Sequence, residues 1–126
     1  MAILAVLAGL AMPGYWRTVE MSRANEAKTN LNIIHMGEKI YYVNNANVFW
    51  GPGGTTIAAA NTALNTDMAA RYYTTLTIAL SGASQTYTAL LTRNNVDGGA
   101  GAHWCQRVYT YSTNGVTPDI TEGGAF

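Results

Sequence analysis

The chain has 126 residues, 48% of them apolar and 11% charged, with a formal net charge of zero. That length suits one domain with an ordinary core, and the charged fraction is well below the roughly 25% of typical soluble proteins. Zero net charge excludes bulk electrostatic recruitment of nucleic acid or of anionic lipid, and the single cysteine, Cys105, excludes an intrachain disulfide.

Residues 1–12 carry no charge and no hydrogen-bonding side chain. Pro13 and Gly14 follow, and then a charged, helix-permissive run from Tyr15 to about Asn45. An apolar rod that turns amphipathic wants lipid or a packed bundle first, and a core on one side afterwards. Twelve helical residues cover about 18 Å, against a hydrocarbon core of about 30 Å, so this segment cannot span a bilayer by itself. No Lys or Arg precedes it, which argues against a signal peptide. Residues preceding Met1 are therefore expected. Pro13 lacks a backbone N–H and crowds the carbonyl of Gly9, so a kink is expected between Gly9 and Gly14.

From Ala24 the residues Ala24, Ala27, Leu31, Ile34 and Tyr41 recur on one face at spacings of three, four, three and seven. Asn25, Lys28, Asn32 and Lys39 fall on the other side, as solvated positions. Arg17, Glu20 and Arg23 stand within pairing distance on a helix. Domain organisation reads as a protruding hydrophobic arm over residues 1–23 and a globular head over residues 24–126.

The helix should end at the asparagines of residues 44–47, and residues 50–54, Trp-Gly-Pro-Gly-Gly, read as a loop. A second helix is expected over residues 56–70, with Ile57, Ala60, Leu64 and Met68 on one face, Thr55 or Thr56 as its cap, and Asn65 as a possible break. The period then changes to two. Residues 72–80 form one strand, with Leu76, Ile78 and Leu80 on one side. After a turn at residues 81–84, residues 85–93 form another, with Tyr87, Ala89 and Leu91 inward. A Gly-rich loop follows at residues 94–102, then a third strand at residues 106–113. Asn114-Gly115 is the strongest hairpin signal and should return a fourth strand near residues 116–120. The predicted fold is α+β: a long N-terminal α-helix packed on a three- to four-stranded antiparallel β-meander, with a short second helix in the connection.

Catalytic chemistry is not indicated. His35, His103 and Cys105 lack zinc-ligand spacing, so no metal is expected. No serine sits in a nucleophile elbow, the Gly-rich loop joins two strands, and the carboxylates form no acid–base pair. No enzyme and no cofactor is predicted. Tyr41, Tyr42, Tyr87, Tyr109 and Tyr111 suit a helix–sheet core, while Tyr15, Trp16, Phe49, Trp50, Trp104 and Phe126 are assigned to subunit contacts or an exposed adhesive surface.

The apolar succession from Ile3 to Pro13-Gly14-Tyr15, then Glu26-Ala27-Lys28 with Asn30-Leu31, then residues 38–45 (Glu-Lys-Ile-Tyr-Tyr-Val-Asn-Asn), resembles the first helix of type IV pilins and the related type II secretion pseudopilins. The match covers roughly the first 49 residues, and the remainder in pattern. The family's processing motif and early glutamate have no counterpart here. The resemblance implies a structural subunit of an extracellular filament. Ile3, Leu4, Val6, Leu7, Leu10 and Met12 would pack in the filament core. The stretch Gly9, Pro13, Gly14 would lose helical hydrogen bonds on assembly, and Ala24, Ala27, Leu31, Ile34 and Tyr41 would hold the head. Implied partners are identical subunits in a helical homopolymer, the inner membrane before assembly, and the pilus assembly machinery, with no nucleic acid. Implied localisation is the inner membrane, then a filament on the cell surface. The segments around Asp97-Gly98-Gly99 and from Asp119 to Glu122 are reminiscent of calcium-holding loops of some major pseudopilins, but offer too few carboxylates for calcium's six to eight oxygens. Three alternatives stay open: a major pseudopilin, a membrane-anchored minor pilin acting as a tip binding module, and an unrelated helix–sheet protein whose arm folds back on its own head.

Overall fold

In a computed structural model, residues 2–82, 86–93, 110–114 and 121–123 are described. Their side chains are described except at residues 2, 10–13, 16, 17, 20, 93, 110–114 and 121–123. The elements are α1 (Ala2–Asn44), β1 (Gly53–Thr56), α2 (Ile57–Leu64), β2 (Tyr73–Ser81), β3 (Thr86–Arg93), β4 (Thr110–Asn114) and β5 (Thr121–Gly123). The fold is α+β. The strands make one sheet in the order β1-β2-β3-β4-β5, every neighbouring pair antiparallel.

The first helix is continuous over its 43 residues, about 65 Å of rod. It is helical at Gly9, Pro13 and Gly14 alike. A proline deletes one backbone donor, and the turns on either side keep theirs, so helix cooperativity carries the chain across. The helix ends where the asparagines predicted. The Asn47 N–H donates to the Tyr42 carbonyl at 3.0 Å, and the Asn45 side-chain amide donates to the Tyr41 carbonyl at 2.9 Å. This closure holds Ala46 at φ 53° and Asn47 at φ 60°, the left-handed region that a Cβ disfavours. Ala46→Gly is therefore expected to stabilise the protein by about 0.5–1 kcal/mol, read as a shifted midpoint in denaturant unfolding.

Two local predictions are corrected. Residues 53 and 54, assigned to a loop, are strand: Gly53 pairs with Ile78 and Gly54 with Thr77, which adds an edge strand to the expected three or four. Glycine's weak β preference is overridden by the hydrogen bonds offered by the free edge of β2. The second helix stops at Leu64 instead of running to residue 70. Thr56 caps its start, accepting the Ala59 N–H at 3.2 Å, and Asn65 ends it in the left-handed conformation at φ 51°. The Asn61 side chain then binds the descending chain, accepting from the Met68 N–H at 2.8 Å and donating to the Met68 carbonyl at 3.1 Å. Those bonds hold the descending segment in a non-helical path, and Met68 is still buried. Finally, the described part of the third strand is residues 110–114, and β5 lies at residues 121–123. Residues 94–109 and 115–120, with the predicted Gly-rich loop and the 116–120 strand, lie outside the described residues.

The core lies between α1, α2 and one face of the sheet. Ala24, Ala27, Leu31 and Ile34 of α1 are buried with Ile57, Ala60 and Leu64 of α2 and with Tyr73, Leu76, Ile78, Tyr87, Ala89 and Leu91 of the sheet. Tyr41 is half-buried at its edge. The alternation in β2 and β3 matches period two: Leu76 and Ile78 inward, Thr75 and Ala79 outward. The two helices meet at Gly37, where a Cβ would come within 3.0 Å of the Leu64 Cβ, so glycine is what permits the close approach.

Candidate assembly surface

The leading part of α1 makes no core. Ile3, Leu4, Val6 and Leu7 are 77%, 67%, 63% and 59% exposed, and the first buried side chain described along the helix is Ala24. Leu10, Met12 and Pro13 lie outside the described side chains. Fully burying an aliphatic side chain is worth about 1.5–3 kcal/mol, so four of them in water is a large uncompensated surface. A continuous helix cannot bend back to cover it. None of these four side chains is covered by the other described residues.

The arm does not stop being uncharged where the head begins. Opposite the buried face runs a line at spacings of three, four and, from Leu7 to Gly14, seven: Leu4, Leu7, Gly14, Thr18, Ser22, Asn25, Thr29, Asn32, Met36, Ile40 and Val43. Every residue of this line is exposed, and none is charged. It is apolar at both ends and small or amide-bearing between. The Thr18 hydroxyl is satisfied within the helix, donating to the Gly14 carbonyl at 3.0 Å. Small, self-satisfied and uncharged residues are those that let helices approach closely. Lys28 and Lys39 border the line on one edge, three to seven residues from its amides, and Glu26 borders it on the other. Asn25, Lys28, Asn32 and Lys39 are all exposed on this side of α1, as the sequence pattern placed them.

Polar residues on the inner side of α1 are used to receive loop backbone. Glu26 Oε1 accepts from the N–H groups of Arg71 and Tyr72 at 2.9 Å each, and from that of Tyr73 at 3.4 Å. The Asn30 amide donates to the Ala69 carbonyl at 2.6 Å, and Glu38 Oε2 accepts the Trp50 N–H at 2.9 Å. None of these roles was legible in the sequence, because each partner lies 12–47 residues away.

Around Glu38 is a buried polar cluster that sequence reasoning missed. His35 Nδ1 and the Tyr87 hydroxyl are 2.8 Å apart, while His35 Nε2 and Glu38 Oε1 are buried without a hydrogen-bond partner among the described residues. Burial pushes the Glu38 carboxyl up to about 7, against the Trp50 N–H that pulls it down. Burial, and then the Lys39 charge, lower the His35 pKa. Burial, and then Glu38, raise that of the Tyr87 hydroxyl. Phe49 closes the cluster, 4.4 Å from the Tyr42 ring and 5.0 Å from the Tyr87 ring between centroids. Phe49 is therefore core, which corrects its assignment to an exposed adhesive surface, and Trp50 is half-buried beside it. Both follow from the turn at residues 45–48, which throws the chain back over the sheet. Tyr15 is exposed on α1, and Tyr42 is half-buried. Trp16, Arg17, Glu20, Trp104, Cys105, His103, Tyr109, Tyr111 and Phe126 fall outside the described side chains, as do Asp97, Asp119 and Glu122.

Where the arm leaves the head, α1 and the approach to β2 form an open notch lined by Val19, Ser22, Arg23, Glu26, Arg71 and Tyr72. The guanidinium carbons of Arg23 and Arg71 stand 4.7 and 5.4 Å from the centroid of the Tyr72 ring, both within cation–π range. Among the described residues there is no metal-holding group of His, Cys, Asp and Glu side chains, and no helix long and apolar enough to cross a membrane. No family model, curated protein or solved structure matches this chain.

Proposed function

We propose that this chain is a filament-forming structural subunit similar to a bacterial type IV pilin, whose work is mechanical and not catalytic. The observation that carries the reading is the uncharged, exposed line of α1, opposite the face that packs on the sheet. Such a helix serves two partners at once: its own sheet on one side, and copies of itself on the other. In this reading the arm over residues 1–23 holds the subunit in the inner membrane. The assembly machinery then moves it into a bundle of neighbouring arms at the fibre axis. Lipid and bundle are both apolar, so the exchange itself releases little hydrophobic free energy. Side-chain packing along α1, contacts between heads and the motor provide the drive. Repeating head-to-tail contacts that do not close on themselves generate an open helical polymer at the cell surface.

Removing residues 1–12 separates this reading from a folded-back arm. The truncated chain is expected to run as a monomer with undiminished helix and strand signal by circular dichroism. Electron cryomicroscopy of native material should show an axial core of α1 helices. Discrete particles, each with its arm beneath its own sheet, would end the proposal.

A further inference from the structure

We infer that the outer face of the sheet, turned away from both helices, binds the surface of ice, an inference that does not depend on the assembly of α1. The outward positions of β1, β2 and β3 fall into rows set by the strand register. Thr56, Thr75 and Thr92 stand opposite one another in one row, and Thr110 of β4 pairs with Thr92 at its end. Thr77 shares the next row with Leu90, Thr88 the next with Ala79, and Thr86 the last with Ser81. None of these positions on β1, β2 and β3 is charged or aromatic, and Thr56, Thr75, Ala79, Ser81 and Thr88 are exposed. Tyr73 and Tyr87, on the same strands, are buried in the core on the other face.

Strand preference accounts for threonine in a sheet. It does not account for a solvated face without lysine or glutamate, since roughly a quarter or more of a soluble surface is ordinarily charged. Among the described side chains, the exposed charges of the head lie elsewhere: Lys28 and Lys39 on α1, and Asp67 and Arg71 between α2 and β2. Charge complementarity therefore leaves this face no ionic partner; nucleic acid and anionic lipid both require cations. Sugar rings are held by stacking on aromatic faces, and these rows have none. What the face presents is a two-dimensional repeat of hydroxyl and methyl groups, about 4.8 Å across strands and about 7 Å along them. Threonine is stiff at χ1, so its hydroxyl is positioned before a ligand arrives. Each hydroxyl has one donor and two acceptor sites, so a bond within the sheet leaves others for the ligand. A lattice of water has the matching chemistry: neutral, joined by hydrogen bonds, and periodic at distances of the same order. A crystal surface engages many rows at once and so sums contacts that are weak singly. Neighbouring strands are rotated by about 20–25°, which makes the β2–β3 pair, with Thr77 and Thr88, the flattest part of the array.

The test is partition of the full chain into slowly grown ice, every sample in the same non-ionic detergent. Wild type should be enriched in the ice fraction, and so should Thr62→Lys, which adds the same charge on α2. Thr77→Lys and Thr88→Lys each set a hydrated cation among the rows and should lose that enrichment. Circular dichroism confirms that the variants are folded. Exclusion of wild type from ice overturns the inference. So does equal enrichment of wild type and both sheet variants. Sedimentation with crystalline cellulose that Thr77→Lys and Thr88→Lys abolish, without enrichment in ice, assigns the face to a neutral polysaccharide and overturns it as well.

Discussion

Leu7→Arg is expected to abolish filaments while leaving a folded head. Leu7 is exposed on α1 and lies five turns before the first described buried side chain, Ala24, so the head loses no contact when it changes. In the proposed bundle the same position is enclosed by apolar neighbours, and a central arginine in such a setting costs about 2.5–3.5 kcal/mol on insertion scales. A homopolymer meets that cost at every subunit. Negative-stain microscopy of the variant should show no fibres, against abundant fibres in wild type. A companion change tests how far the contact extends. Asn25→Arg puts a charge on the same solvent-facing line beside the head. If copies pack along the whole of α1, this variant fails as well; if only the arm is shared, it assembles. Normal fibres from Leu7→Arg would refute the axial role of the arm.

The second large effect concerns pH. Glu38 has an ordinary value of 4.5 and is pushed up to about 7 in the folded chain, mainly by burial. The native state thus holds this proton more tightly than the unfolded state. Its contribution is fully present below pH 4.5 and is lost as the pH rises through 7, by about 2–3 kcal/mol after allowance for screening. His35 acts in the opposite sense. Its pKa is lowered from 6.5 by burial and then by Lys39, so the stability it contributes is present above 6.5 and fades on acidification. Wild type adds both slopes. Glu38→Gln keeps an acceptor for the Trp50 N–H but cannot ionise, so it should match wild type near pH 4.5 and exceed it at pH 8. His35→Gln should leave only the alkaline loss. Denaturant midpoints of the full chain in one non-ionic detergent, taken across pH 4.5 to 8, give the comparison. Parallel curves for wild type and Glu38→Gln would show that Glu38 ionises freely in the folded protein.

Much of the architecture follows from local pattern. The three-and-four spacing of Ala24, Ala27, Leu31 and Ile34 announces a helix with one buried face, and those four are buried. Period two through Leu76, Ile78, Tyr87, Ala89 and Leu91 announces strands, and all five point into the core. The end of α1 and the cap of α2 were readable because asparagine and threonine act on backbone within four residues of themselves. The errors share one cause. Phe49 was assigned to the surface because no periodic element contains it, yet it is held between Tyr42 and Tyr87. Gly53 and Gly54 read as loop because strand pairing depends on an edge more than 20 residues away.

Sequence alone therefore determined the long helix, its apolar beginning, its buried stripe and the alternation of the central strands, since each depends on the rise and period of a single element. Tertiary structure decided the rest. It set Glu38, His35 and Tyr87 together in the core, spent Glu26 and Asn30 on distant backbone, and brought Arg71 to Arg23. It also turned an uncharged line of α1 outward along its described length. These outcomes depend on which surfaces of separate elements meet, and such meetings are governed by long-range packing that no window along the chain contains.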